Sequence, residues 1–210
     1  MPDRKSVAGS LVPDSPVPDS PVPHSSIAGV GAAFAAFATG VTLVTIADGR
    51  DDIGTTVSAF CPVSLDPPLV LISLMASSYP AEVLVTDPPG PGQPGTEQVG
   101  TGHPRASRAG TGRFAVTVLS AGQRMLAGRF AVAGRPGARL LLDGIPHHRG
   151  TESGALIPDG GLAALECEAT QRVPAGDHLL VIARVLAVPY VADSGDPLIR
   201  LRSRYPALPT

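Results

Sequence analysis

Small hydroxyl side chains crowd one stretch of this sequence. In IGTTVSAFCPVSLDPP, Ile53 to Pro68, the residues Thr55, Thr56 and Ser58 are polar while Val57, Ala59 and Phe60 are apolar, so the run does not alternate cleanly. A strand leaving a sheet edge behaves this way: one side serves the core, while backbone and hydroxyls stay open to something small and polar. Asp66-Pro67-Pro68 stiffens the approach to LVLISLM, Leu69 to Met75, because each proline fixes φ and offers no N–H. A hydroxyl-lined turn between two buried strands suits a bound ligand, and spacing alone leaves that ligand open.

Other reactive side chains are weighed against plainer roles. His178 follows Gly176-Asp177 at the start of an apolar strand, where a turn would present an imidazole able to donate a proton or carry charge near neutral pH; a structural hydrogen-bonding histidine is the competing reading. Glu166 and Glu168 fall on one strand face with Cys167 on the other. The pair reads more readily as an exposed barrel face than as an acid–base dyad, and Cys167 as a packed thiol. His147 and His148 are adjacent and point apart on an extended backbone, so no metal site is expected. Arg202 and Arg204 suit a phosphate or a dimer interface. No Rossmann GxGxxG, P-loop, GxSxG or HExxH occurs, so any nicotinamide or phosphate recognition comes without those signatures.

The elements that must position these residues are mostly strands. Val41 to Ala47, Ile53 to Phe60, Leu69 to Met75, Gly112 to Leu119, Leu162 to Gln171, His178 to Val188 and Pro197 to Leu201 read as strands, with a short one possible at Arg139 to Leu142. DGRDD, Asp48 to Asp52, joins the first two as a hairpin, and Pro174 to Asp177 joins the fifth and sixth. Helices are short: Ile27 to Thr39 with its apolar face on the sheet, Ala76 to Val85 capped near Ser77 or Ser78, and Gln123 to Phe130. With no long crossover helices, the expected fold is mainly β, an antiparallel split or partly closed barrel with short peripheral helices.

Residues 1–26 carry a VPDSP repeat and read as an unstructured proline-rich tail, and 27–210 as a single domain. Almost half of Asp87 to Gly110 is glycine or proline, which reads as an inserted surface loop. A net charge of −2 offers no basic field for nucleic acid, and only 4 % aromatic residues weakens any base-stacking platform. No leader and no membrane-length apolar run is expected, and two distant cysteines suit a reducing compartment, so the expectation is a cytoplasmic protein.

In chain order, FATGVTLVT (Phe37 to Thr45), GTTVSAFCPVSLDPPLVLISL (Gly54 to Leu74), GRFAVTVL (Gly112 to Leu119), LAGRFA (Leu126 to Ala131), GDH (Gly176 to His178) and RSRY (Arg202 to Tyr205) resemble the flavin reductases of two-component monooxygenase systems. The resemblance runs from about Phe34 to Tyr205 and omits the insertion. It implies a flavin-binding split barrel and an NAD(P)H:flavin oxidoreductase that reduces FMN or FAD with NADH or NADPH. It also implies a homodimer that supplies reduced flavin to a partner monooxygenase.

By the same resemblance, Thr55, Thr56, Val57, Ser58 and the Cys61-Pro62 backbone contact the isoalloxazine. Ser73, Ser77 and Ser78 help hold the ribityl chain and phosphate, and Gly128, Arg129, Phe130 and Ala131 line the site. His178 matches a histidine assigned to nicotinamide positioning, and Arg204 a position in the last strand. The sequence departs from the family at Ala59, where serine is common, at Thr117, where asparagine is common, and in a less aromatic Leu201-Arg202-Ser203. Two competing readings are a flavin-binding module without hydride transfer and a flavin-retaining oxidoreductase acting on an organic substrate.

Overall fold

Alternating or unbroken apolar runs become the strands of one antiparallel sheet. A computed structural model describes residues 27–49, 52–85 and 112–207. The proline-rich tail and the Asp87 to Gly110 insertion therefore lie outside the described residues. The chain divides into two units, 1–34 and 35–210. The first holds nearly all of α1 (Ile27–Ala35).

The second unit runs β1 (Thr39–Gly40), β2 (Thr42–Ile46), β3 (Ile53–Val57), β4 (Phe60–Leu65), β5 (Pro68–Met75), α2 (Tyr79–Val85), β6 (Arg113–Val118), a single 3-10 turn (Ala121–Gln123), α3 (Arg124–Ala131), α4 (Ala138–Leu141), β7 (His147–Arg149), β8 (Leu156–Pro158), β9 (Ala163–Ala175), β10 (His178–Val191) and β11 (Ile199–Arg200). Seven strands form the main sheet in the order β3-β2-β6-β9-β10-β5-β4, every pair antiparallel. Its two ends share one core: Val57 of β3 and Val70 and Ile72 of β5 belong to the same apolar cluster as Phe114, Val116, Cys167 and Val181. The sheet therefore curls on itself, and among the described residues β3 and β4 are its edges.

Period-two alternation explains how β2 is buried on both faces. Val44 and Ile46 enter the inner cluster, whereas Leu43 joins Leu126, Ala127 and Phe130 of α3 and Ala138 of α4 on the outer side. Its threonines are buried because both find acceptors: Thr42 Oγ1 donates to Val57 O at 2.8 Å and Thr45 Oγ1 to Leu156 O at 2.6 Å. Gly54 is needed for this packing, since a Cβ there would lie 2.3 Å from Phe130 Cε1.

Four local expectations change. Arg139 to Leu142 is not a strand; α4 occupies Ala138–Leu141, and the Leu140 and Leu141 N–H groups both donate to Gly137 O. Four apolar-rich residues are too few for periodicity to separate helix from strand. The stretch Cys61 to Leu65 is not part of a turn but of β4, hairpinned to β5 through Asp66-Pro67, whose peptide is cis. Pro62 is tolerated there because β4 is an edge strand. Finally, β7 and β8 form a two-stranded ribbon in a segment where no strand was expected. The β9–β10 hairpin is longer than expected and turns on Gly176 (φ 62°) and Asp177. Among the described residues no helix is long and apolar enough to cross a membrane.

Candidate functional site

At the Thr55 end of β3 the chain changes from core strand to loop, and its hydroxyls meet two other segments. A cavity of about 330 Å³ opens there. Thr55, Thr56 and Ser58 line it from β3, Ala131 from the end of α3, and Val41 from the start of β2. Arg200, Ser203 and Tyr205 close it from the C-terminal segment. Thr56 Oγ1 donates to Ala127 O at 2.8 Å, which ties β3 to α3. Arg200 Nη1 donates to Ser58 Oγ at 3.2 Å.

Arg200 reaches this position because β11 pairs with β1, with Arg200 opposite Thr39. The next residues form a tight turn in which Leu201 and Arg204 exchange backbone hydrogen bonds, each at 2.9 Å. Its two central residues, Arg202 and Ser203, have φ of 49° and 60°. A turn of the type I′ kind requires positive φ at both positions, a conformation non-glycine residues adopt at a cost of about 1 kcal/mol each. That strain places Ser203 on the cavity wall. Tyr205 is held by Arg124, whose guanidinium lies 5.9 Å from the ring centroid.

The structure brings together Thr55, Thr56, Ser58 and Ala131 from the sequence-derived set. Val57 is buried in the core, and Phe130 is fully buried beneath Gly54. Gly128 and Arg129 are exposed, with Arg129 Nη1 donating to Leu141 O at 3.2 Å. Cys61 and Pro62 lie on the exposed edge strand. Arg204 contributes its backbone to the turn and is itself exposed. Arg200, Ser203 and Val41 had not been singled out. Their signal is tertiary, since a two-residue strand has no periodicity to read.

A second group sits at the far end of β5. Ser73 is half-buried opposite Leu180, and its N–H donates to Ala59 O at 3.0 Å. Ser78 caps α2, accepting from the Ala81 N–H at 3.4 Å. His178 faces Met75 across the ladder, and the Ala76 N–H donates to Asp177 O at 2.9 Å, so His178 lies beside the Ser77-Ser78 corner. The half-buried His178 ring is held by Asp177 Oδ1 at 2.7 Å from Nδ1. The hydrogen bond to His178 and then the electrostatic attraction of that ring hold the Asp177 carboxyl below its usual range.

The two glutamates of β9 are not an exposed pair. Glu166 is buried, which corrects that expectation, because the Thr151 to Ala155 loop folds over it. Burial pushes its carboxyl up, but the Ser153 N–H and hydroxyl, each at 2.7 Å, and the Glu152 N–H at 3.0 Å outweigh this and hold it below the ordinary value. Glu168 pairs with Arg113 and Arg184, both at 3.1 Å. The Cys167 thiol is pushed up to about 12 by burial and by the Glu166 charge, so it is a core thiol and not a nucleophile.

An antiparallel split barrel with a hydroxyl-lined cavity at its rim defines a class of small-ligand-binding β proteins. Within it, this chain belongs to the family described as flavin reductase like domain, which matches residues 34–209. It is 37 % identical over 166 residues to the FMN reductase (NADH) SmoA of Agrobacterium fabrum, covering 79 % of this chain and 77 % of that protein. BorF, the flavin reductase component of a bacterial two-component tryptophan halogenase, superposes with a TM-score of 0.70 at 29 % identity, over 88 % of this chain and 99 % of that one. The NADH:FAD oxidoreductase of Streptomyces globisporus, solved with NAD and FAD fragments, gives 0.70 at 27 % identity over 90 % and 97 % of the two chains.

Proposed function

We propose that this protein is an NAD(P)H:flavin oxidoreductase in which reduced nicotinamide passes a hydride to N5 of FMN or FAD, the reduced flavin then serving a separate monooxygenase. The observation that carries this reading is the cavity shared by β3, α3 and the C-terminal turn, in a chain of the flavin reductase like domain family. Its donor set fits a flavin. Thr55 and Ser58 offer hydroxyls to ring oxygens and nitrogens, while Thr56, whose proton goes to Ala127 O, remains an acceptor. Ala131 gives apolar surface for the ring, and Arg200 puts one positive charge beside it.

Ser73, Ser77 and Ser78 hold the ribityl and phosphate end, and the Cys61-Pro62 backbone borders the ring. His178, fixed by Asp177, aligns the nicotinamide against the flavin, which is the protein's main contribution to a hydride transfer. Hydroxyls and one exposed guanidinium bind without a buried ionic clamp, which suits a flavin that is released as product. The protein works as a homodimer: the edge strand β4 exposes Val63 and Leu65, an apolar edge that a second copy covers. It acts in the cytoplasm.

Rapid mixing of the protein with NADH or NADPH and excess FMN or FAD tests this through the flavin's visible absorbance. Multiple-turnover bleaching is expected. Bleaching that stops at one flavin per subunit supports a flavin-retaining oxidoreductase instead, and binding without bleaching overturns the reductase reading in favour of a binding module.

A further inference from the structure

The end of β3 away from the hydroxyl cavity is built from charges. Asp52, immediately before the strand, sits at φ 48° and is buried. Two guanidiniums from distant elements converge on it. Arg139 of α4 donates through Nε to Oδ2 at 2.7 Å, and Arg149 of β7 donates through Nη2 to the same oxygen at 2.7 Å and through Nη1 to Oδ1 at 3.4 Å. Backbone carbonyls complete the clamp, with Gly49 O accepting from Arg139 Nη2 at 2.5 Å and Gly154 O from Arg149 Nη1 at 2.6 Å. The arginines are thus fixed in orientation while each stays about half exposed.

They face a cavity of about 560 Å³, lined among the described residues by Arg139, His147, His148, Arg149 and Leu156. Two permanent cations stand over the Asp52 carboxylate, whose oxygens are already occupied by them, so donors not used by Asp52 are left to face the cavity. Among the described residues, Arg139 Nη1 and Arg149 Nε make no hydrogen bond. Both histidines use Nδ1 as donor: His147 to Ile145 O at 2.7 Å, since a carbonyl only accepts, and His148 to Asp159 Oδ1 at 2.9 Å. Nε2 is therefore the free nitrogen of each ring, and on protonation it becomes a further donor. Among the described residues, the Asp159 carboxylate beside this wall is engaged by His148.

We propose that this cavity is an anion site for a phosphate group, gripped by Arg139 and Arg149 with His147 and His148 as flanking donors. A single guanidinium fork satisfies a planar carboxylate, whereas donors arriving from two elements, α4 and β7, suit the three or four oxygens of a tetrahedral anion. Inorganic phosphate and the phosphate of a nucleotide share this chemistry. The site is independent of the flavin cavity: Asp52 and Ser58 are separated by an extended run of about 20 Å.

Calorimetric titration of the full chain in phosphate-free buffer, with inorganic phosphate and separately with adenosine monophosphate, tests the assignment. Saturable binding of one anion per chain is expected, tighter for whichever source is the physiological one, and undisturbed by riboflavin, which carries no phosphate. The His147→Gln/His148→Gln variant should weaken it about tenfold, as should Asp52→Asn/Arg139→Gln, which removes a cation without stranding a buried carboxylate. Thermal unfolding without ligand checks that each variant is folded, and the histidine pair, which makes no hydrogen bond to Asp52, keeps the test open if the other variant is not. Absence of saturable binding of either anion at millimolar concentration overturns the proposal. So does binding that survives the histidine substitutions, or displacement by riboflavin.

Discussion

At Thr55 to Ser58 the groups beside the cavity are neutral, half-buried hydroxyls, of which Thr56 donates to Ala127 O and Ser58 accepts from Arg200, an exposed guanidinium. A few residues earlier on the same run, Asp52 is a buried carboxylate that needs two guanidiniums from α4 and β7. Neutral hydroxyl bonds contribute about 1 kcal/mol each and exchange readily with water. A buried ion is different, because removing its partners leaves an uncompensated charge. One end of the strand is therefore suited to a ligand that must leave, and the other to fixing the loops and helix around it.

Breaking the ionic end should have the largest effect. Arg139→Gln/Arg149→Gln leaves Asp52 buried without a cation, and urea denaturation should show a loss of about 3–5 kcal/mol. Adding Asp52→Asn should recover most of it; failure to recover would show that the guanidiniums act through packing and not through charge. The pH dependence follows the same logic. Burial raises the Asp52 carboxyl, but hydrogen bonds from Arg149 and then Arg139 outweigh it and leave the folded value below the ordinary one. A depressed carboxyl contributes stability above the unfolded pKa of about 4 and loses it as pH falls through the lower folded value. Glu166 acts in the same direction. Wild-type stability should fall as pH drops below about 4, and Asp52→Asn should flatten part of that slope.

The hydroxyl end should answer in affinity and not in stability. Thr55→Val/Ser58→Ala is expected to weaken flavin binding about tenfold, read by fluorescence titration, with a change in unfolding free energy below about 1 kcal/mol. Thr56→Val sharpens the contrast, because its hydroxyl bonds Ala127 O and so ties two elements together. It should cost about 1 kcal/mol of stability with a smaller effect on the flavin. Equal losses of affinity from Thr56 and Ser58 would erase the distinction between a tethering and a ligand-facing hydroxyl.

The same contrast marks what could be read without coordinates. The hairpin of β2 and β3, the central β5, β6 and the long β9–β10 pair were legible, because each has an apolar run long enough to show its period. Thr55, Thr56 and Ser58 were legible as a hydroxyl cluster, and the order of the family blocks supplied the use proposed for it. The ionic end was not: Asp52 looked like one more turn residue in DGRDD, since its burial depends on Arg139 and Arg149, 87 and 97 residues away. Arg200 was missed for a related reason, as its place depends on a two-residue pairing with Thr39. Glu166 was misplaced because strand alternation gives the face of a side chain but not the loop that covers it.

His178 stands apart from both ends and offers a kinetic test. His178→Ala should slow hydride transfer about tenfold in rapid-mixing experiments, while flavin affinity changes less than about threefold. An unchanged reduction rate would remove His178 from the reaction and leave it a partner for Asp177.

The smallest expected effect comes from Arg200, and it probes whether charge matters at the neutral end at all. Its guanidinium is exposed and bonds Ser58 Oγ, so it sits beside hydroxyls assigned to the ring. Reduction adds negative charge to a flavin, and a cation a few ångströms away in well-solvated surroundings favours the reduced form by about 1 kcal/mol. Arg200→Met should therefore lower affinity for reduced relative to oxidised flavin by about threefold to fivefold, and because the site is open to solvent, salt should shrink the difference in the wild type. Equal weakening of both forms, insensitive to salt, would mean that Arg200 serves only to orient Ser58, and would make the hydroxyl end of β3 electrostatically silent.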